Sequence, residues 1–433
     1  MNDLLTSKVY SRKTFLTNVS AGLLTTGIMN GPTLSFSKQD QVSVNQNFDS
    51  KPLPRSPLNA DTEQEEPKFF PSPTNPQKRI GYAIVGLGHL TLGEIMPAFS
   101  ACKFSKPVAL ISGDEGKAGI VADQYGIDSK NIYNYNSFDR IKDNKEIDAV
   151  YIVLPNSMHH EFTIRAANAG KHVLCEKPMA NSVKECEEMI SACAKANKKL
   201  MIAYRIQYEP NNHLIMNWVR NKEYGNAKLL ELYNGQNIGD PSQWRLKKSL
   251  AGGGSLVDVG IYCLNTCRFL LGEEPESVFG KMYSTPGDNR FKEVEESVLF
   301  QLHFPSGVMA NCITTYGAHM NRRYRVFTDK GSWFGMDPAF SYRGVKIESA
   351  QAKGKLEWKQ SPTMEEKNQF ALEIDHLSQS ILNNTIPFTK GEEGFQDQKI
   401  MEAIYMSANE GRIINLEKIS GKDIFRGNKP AEE

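Results

Sequence analysis

Two stretches of this sequence carry side chains whose types and spacing could move a proton. Cys175-Glu176-Lys177-Pro178 closes an apolar run that begins at His172, and the proline ends that run so that the Lys177 ammonium faces out of its carboxyl end. Trp244-Arg245 precedes Ala251-Gly252-Gly253-Gly254-Ser255-Leu256-Val257-Asp258-Val259-Gly260-Ile261-Tyr262, where Asp258 and Tyr262 stand four apart, on one face of a helix. A cation beside a phenol favours its ionised form. A phenol so held can take the proton of an alcohol while hydride leaves the carbon. Read separately, Lys177 is a surface salt-bridge partner, Asp258 a helix-start residue and Tyr262 a core aromatic. His159-His160 invites a metal reading, but adjacent residues of an extended segment point to opposite faces. No Asp, Glu or Cys is spaced to complete such a site. No metal is expected, and both histidines are read as polar loop residues, with His159 lining the site.

These groups need a scaffold, and the sequence supplies one from Arg79 onward. Ile80-Gly81-Tyr82-Ala83-Ile84-Val85 is a short apolar strand running into Gly86-Leu87-Gly88 and a helical stretch from Gly93, the opening of a βαβ unit. Glycines there allow a tight turn and let a pyrophosphate approach the backbone at a helix N-terminus. The third fingerprint position holds Thr91 in place of Gly or Ala. Further apolar strands at Val108–Ser112, Ala149–Leu154 and His172–Cys175, with helical segments between, predict a doubly wound parallel sheet of the dinucleotide-binding kind over 79–203. Leu154-Pro155-Asn156 and Glu176-Lys177 both fall at strand carboxyl ends, where such sheets bind ligands. After the second strand comes Ser112-Gly113-Asp114-Glu115-Gly116-Lys117. Ser112 and Lys117 suit a 2′-phosphate and Asp114 lies two residues late for a ribose contact, so NADP is favoured over NAD; otherwise Lys117 is a solvated charge at a helix start.

In the second half, 204–433, Val298–Phe304 and Val308–Tyr316 flank Pro305-Ser306-Gly307 as two strands around a turn. Lys228–Tyr233, Ser277–Tyr283 and Tyr324–Thr328 add strands to a largely antiparallel, open-faced sheet. Phe370, Ile374, Leu377 and Ile381 fall at helical spacing and predict a late helix packed back on the body.

The N-terminus reads differently. Residues 1–37 have the layout of an export signal: Ser11-Arg12-Lys13-Thr14-Phe15-Leu16, an apolar stretch Val19–Ile28, and Ser35-Phe36-Ser37 for cleavage. This resembles a twin-arginine signal with Lys13 in place of the second arginine, and implies a periplasmic protein exported folded, or a cytoplasmic one if the signal does not function. Seven prolines between Lys51 and Pro76 make 38–78 an extended arm, either a spacer or a strap on another subunit with Phe69-Phe70 as anchors. Fifty-one Lys+Arg against fifty Asp+Glu leave a net charge of +1, so no global field attracts nucleic acid. No run of about 18 apolar residues spans a membrane. Seven cysteines without C-x-x-C spacing, several within apolar runs, read as buried thiols.

Gly86-Leu87-Gly88, Cys175-Glu176-Lys177-Pro178, Tyr204-Arg205 with Tyr208-Glu209-Pro210, and Asp258-x-x-x-Tyr262 together resemble the Gfo/Idh/MocA oxidoreductases over roughly residues 79–415. Leu154-Pro155-Asn156-Ser157, Trp244-Arg245, Ala251–Tyr262 and Gly391-Glu392-Glu393-Gly394 resemble its glucose–fructose oxidoreductase branch. The resemblance implies an NADP-dependent oxidation of an aldose at C1 to its lactone and reduction of a ketose such as fructose, with a retained cofactor. Lys177 and Tyr262 would be the catalytic pair and Asp258 would orient the sugar. Ser112, Lys117 and Tyr135 would meet the 2′-phosphate, with Gly86, Leu87, Gly88, Leu154, Pro155, Asn156, His159, Glu176 and Arg205 completing the cofactor site. Tyr208, Trp244 and Arg245 would line the sugar pocket, and the open sheet would build a dimer or tetramer. An ordinary NAD(P)-dependent sugar dehydrogenase with exchangeable cofactor remains an alternative, as does a nucleotide-sensing protein without turnover.

Overall fold

The structure, a computed structural model, describes residues 78–431. The export signal and all of the arm but Lys78 lie outside the described residues. Strands β1 (Ile80–Val85), β2 (Ser105–Ile111), β3 (Ile132–Tyr133), β4 (Ala149–Ile152), β5 (His172–Glu176) and β6 (Leu200–Ala203) form a parallel sheet in the order β3-β2-β1-β4-β5-β6. Its crossovers carry helices α1 (Glu115–Tyr125), α2 (His159–Asn168) and α3 (Val183–Lys195). Strands β1 and β4 are fully buried, which is why they read as unbroken apolar runs rather than alternating ones. The strand order reverses between β1 and β4, opening a crevice at their carboxyl ends. Local signals set the crossovers: the Asp114 side chain accepts the Lys117 amide to start α1, and Gly126, at φ +64°, ends it.

After helix α4 (Pro210–Arg220), a second sheet takes up β7 (Ala227–Asn237), β8 (Ser277–Tyr283), β9 (Ser297–His303), β10 (Met309–Thr315), β11 (Gly317–Thr328), β12 (Ser332–Met336), β13 (Ile347–Lys353), β14 (Leu356–Gln360) and β15 (Ile414–Asn415). The order is β14-β13-β12-β11-β7-β10-β9-β8-β15, antiparallel except for the parallel β7/β10 pair. Helices α5 (Ile261–Leu271), α6 (Gln369–Leu382) and α7 (Gly391–Glu410) follow in the chain. Helix α5 packs on β7 and β10, and α7 on β8. The other face leaves Tyr283, Leu299, Met309 and Ile313 exposed. Helix α6 returns to the first sheet, where the Asp375 carboxylate accepts the Phe104 amide at 3.0 Å and the Ser105 hydroxyl at 2.6 Å. All seven cysteines are buried and unbridged. Among the described residues no helix is long and apolar enough to cross a membrane.

One buried histidine on α6 gives the fold an acid limit. His376 Nε2 accepts the Phe388 amide at 2.8 Å, and burial, with His213 adding to it, lowers its pKa to about 4. The unfolded chain takes up this proton first, near the ordinary value of about 6.5. The resulting stability is therefore present above pH 6.5 and is lost as pH falls toward 4, with a slope approaching about 1.4 kcal/mol per pH unit. Urea midpoints from pH 7 to 4.5 should fall less steeply in His376→Gln than in the parent. Parallel curves would rule out His376 as the group responsible.

Candidate active site

One cavity of ≈ 810 Å³ runs from the carboxyl ends of β1, β2 and β4 to strands β7 and β11 of the second sheet. At its first end Gly86 turns at φ +93°, and a Cβ there would run into the Val153 carbonyl. A Cβ on Gly88 would meet no atom within 4 Å, so it would instead occupy the open cradle. The Thr91 hydroxyl, wholly buried, donates to the Gly86 carbonyl at 2.7 Å. That bond explains why threonine serves at the third fingerprint position: it braces the turn from the first coil of the following helix. Next along the cavity are Ser112, Lys117 and Tyr135. The Asp114 carboxylate there is already engaged as the cap of α1 and sits 4.0 Å from the Lys117 ammonium. This end thus offers a hydroxyl and an ammonium to a phosphate, and the glycine cradle fits a dinucleotide's pyrophosphate.

The far end holds Lys177, Asp258 and Tyr262. Lys177, whose peptide bond to Pro178 is cis, places Nζ 2.6 Å from the Asp258 carbonyl and 3.2 Å from its carboxylate, and 4.7 Å from the Tyr262 ring centroid. Arg205 lies over the same ring at 5.0 Å. The Asp258 carboxylate also meets Arg245 at 3.2 Å and accepts the Tyr316 hydroxyl at 2.7 Å. Burial pushes that carboxyl up, but Lys177, Arg245 and the Tyr316 hydrogen bond outweigh it and hold it well below the usual range. Burial works against the Lys177 ammonium, while Tyr262, Asp258 and Glu176 together raise its pKa above the ordinary value. Lys177 is therefore a fixed cation, and the Tyr262 phenol lies beside it on the cavity wall.

The glycine run exists to bring this constellation in. A Cβ on Gly253 would strike the Tyr405 hydroxyl and one on Gly254 the Glu295 carbonyl. The Glu295 carboxylate accepts the Gly254 and Leu256 amides at 2.8 and 3.0 Å. Asn156 Nδ2 donates to the Ala251 carbonyl at 2.8 Å, tying the loop after β4 to the same run. The chain then enters a π-turn, Leu256–Gly260, before α5. Such turns recur at functional sites, and this one sets Asp258 and Tyr262 on the same cavity wall.

Residues 80–204 match the Gfo/Idh/MocA oxidoreductase family's NAD-binding Rossmann fold, and residues 213–334 match the Gfo/Idh/MocA C-terminal domain. The chain is 30% identical over 354 residues to the D-xylose 1-dehydrogenase [NADP(+)] of Haloarcula marismortui, covering 78% of this chain and 93% of that one. This chain belongs to the Gfo/Idh/MocA oxidoreductase family. It is also 27% identical over 338 residues to the D-xylose 1-dehydrogenase (NADP(+)) 2 of Haloferax volcanii, covering 78% of this chain and 99% of that protein. The crystal structure of an aldose-aldose oxidoreductase from Caulobacter crescentus, complexed with glycerol, superposes with a TM-score of 0.75 at 46% identity, covering 78% of this chain and all of that one.

Of the residues that the sequence assigned to the cofactor, catalytic and sugar sites of this Gfo/Idh/MocA oxidoreductase, all but His159 and Tyr208 line the cavity. His159 is buried behind it, with Nδ1 2.8 Å from the Pro178 carbonyl and Nε2 2.9 Å from the Leu154 carbonyl, so it clasps two cavity loops together instead of facing a ligand. Tyr208 does not reach the sugar end. The turn Arg205–Tyr208 swings its ring into the core against His376, and its hydroxyl bonds the Thr389 hydroxyl at 2.8 Å. Asp258 lines the cavity, but its carboxylate is committed to Lys177, Arg245 and Tyr316. Sequence reasoning missed Asn234 and Gln236 on β7, Arg322 on β11, and Phe340 and Tyr342 on the loop before β13. The polar pair at two-residue spacing on β7 was the one readable signal, since the others arrive from distant segments.

Proposed function

We propose that this chain is an NADP-dependent sugar oxidoreductase that oxidises an aldose at C1 to its lactone and returns the hydride to a second sugar from the same site. The observation carrying this reading is the single cavity that joins a pyrophosphate cradle and a phosphate-suited hydroxyl and ammonium to a phenol beside a fixed ammonium. The names of the D-xylose 1-dehydrogenases and the aldose-aldose oxidoreductase support NADP and an aldose substrate. The last of these favours an aldose as the hydride acceptor too, alongside the ketose implied by the sequence motifs.

Bound NADP would supply the two-electron hydride acceptor. Tyr262 accepts the C1 hydroxyl proton as the C1 hydrogen departs with its electron pair, and returns that proton to the carbonyl oxygen of the second sugar. Lys177 stabilises the negative charge on the phenol oxygen, a contribution that a water-excluded site strengthens. Asp258 holds Lys177 and Arg245 in place. Export to the periplasm is supported by Arg12-Lys13 and its apolar stretch. Assembly through the second sheet is supported by the exposed Leu299, Met309 and Ile313 on its open face.

The test is a spectrum of the exhaustively dialysed protein. Glucose should raise the near-ultraviolet band of reduced nicotinamide without added cofactor, and xylose or fructose should abolish it. Acid denaturation should then release NADP and not NAD. A dialysed protein that turns over only with supplied nucleotide would replace the retained-cofactor reading with an ordinary dehydrogenase.

A further inference from the structure

Glu373 on α6 is wholly buried, and neither of its carboxyl oxygens has a hydrogen-bond partner. The titratable and charged groups acting on it come from three elements: Tyr151 on β4, Glu176 on β5, and Arg205 and Tyr208 on the turn after β6. None of them neutralises it by contact. Arg205 spends its terminal nitrogens on the Phe340 carbonyl at 2.7 Å, the Ser341 carbonyl at 3.2 Å and Gln369 Oε1 at 2.5 Å, while its Nε has no partner. The Tyr151 hydroxyl donates to Glu176 Oε1 at 2.9 Å, and the Tyr208 hydroxyl is bonded to Thr389. Glu176 in turn lines the cavity beside Lys177. Two acids thus sit together behind the catalytic cation, one of them without any donor.

An ionised carboxyl without a donor is not sustained in such a place, and two neighbouring carboxyls resist a second negative charge. We propose that Glu373 is a positioning residue that stays protonated beside Glu176, so that the pair presents one negative charge behind Lys177. The directions of titration agree. Burial, then Glu176, pushes the Glu373 carboxyl well up against the opposing pull of Arg205 and Tyr151, and burial also raises Glu176 against Lys177 and Tyr151. A single charge there keeps Lys177 an ammonium without opposing the negative charge that Tyr262 must carry. Once Glu373 ionises at alkaline pH, the second charge disfavours the phenolate and activity falls. The inference rests on the roles given above to Lys177 and Tyr262.

The test pairs a pH profile with a readout that needs no turnover. Infrared spectra of the nucleotide-bound, ¹³C-glutamate-labelled protein should contain the carbonyl stretch of a protonated carboxyl at neutral pH. That band should be missing from Glu373→Gln and should disappear from the parent on alkaline titration. Glu373→Gln, neutral at every pH, should keep kcat within about threefold at neutral pH and lose the alkaline fall. A parent without the band, a variant slowed about tenfold or more at neutral pH, or a variant with an unchanged alkaline limb would each overturn the proposal. A band that persists in a protein inert toward every sugar would count against the sugar reading alone.

Discussion

Replacing Tyr262 with phenylalanine should lower kcat for aldose oxidation by about 100- to 10,000-fold, the usual contribution of a positioned acid–base group. The substitution removes only the hydroxyl. The ring stays beneath Lys177 and Arg205, whose cation–π contacts at 4.7 and 5.0 Å do not involve the oxygen. Nucleotide binding and thermal stability should therefore remain near those of the parent. Neither neighbouring cation can take over. Lys177 is held protonated by the charges around it, and Arg205 is raised further by Tyr262 and Tyr342 against its burial. Asp258 cannot act as the acceptor either, because its carboxyl is held well below the usual range. Single-turnover reduction of bound nucleotide by glucose is the measurement, since it isolates proton and hydride transfer from product release. A variant within about threefold of the parent would place the proton acceptor elsewhere.

Arg268→Leu should destabilise the fold by about 3–5 kcal/mol, the range for removing one partner from a buried ionic cluster. Arg268 is fully buried on α5 and meets Glu274 at 2.7 Å, Glu393 at 2.9 Å and Asp397 at 2.5 Å. Arg426 from the C-terminal segment also reaches Glu393, at 2.7 Å. Leucine would strip Glu274 and Asp397 of their ion-pair partner and leave Glu393 with Arg426 alone. Burial already raises the Asp397 carboxyl to about 6 against the pull of Arg268. A carboxyl whose folded value lies above its unfolded one loses stability as pH rises, so the deficit should be greater at pH 8 than at pH 5. Arg268→Lys should recover only part of it, because one ammonium cannot reproduce the planar fork. Urea denaturation at the two pH values checks both statements. The cluster also gives Glu393, within the Gly391-Glu392-Glu393-Gly394 motif, a structural role: it anchors the helix that carries Tyr262.

Much of this was readable because the residues concerned signal locally. Buried parallel strands announce themselves as apolar runs, and β1, β4 and β5 did so. The turn Gly86-Leu87-Gly88, the lysine at the end of β5 and the four-residue step from Asp258 to Tyr262 each occupy a few consecutive positions. The hairpin of β9 and β10 was equally plain around Pro305-Ser306-Gly307. What failed was whatever depends on orientation or distance in the chain. Tyr208 follows Arg205 by three residues, yet a short turn sends one ring to the core and leaves the other side chain on the cavity. His159 opens α2 instead of lying in a loop, and its buried ring points away from the cavity. Strand β14 is exposed along its whole length and carries no burial pattern, and β3 has only two residues. Tyr316, Arg322 and Tyr342 are brought to the site by the second sheet and its loops, which no local pattern reports.

The return of α6 to the first sheet sets the order in which the chain can finish folding. The Tyr82 hydroxyl on β1 is hydrogen-bonded to the Ser378 hydroxyl at 3.0 Å, across 296 positions of sequence. A nascent chain can pair β1 with β2 and β4 early, as amino-terminal segments generally do during synthesis. The sheet surface around Tyr82 and Ser105 nevertheless waits for Asp375 and Ser378 to emerge. Until then the nucleotide-binding half keeps an apolar flank open to aggregation or to chaperone capture, and closing so distant a contact is slow. A fragment ending before Gln369 would retain that flank permanently.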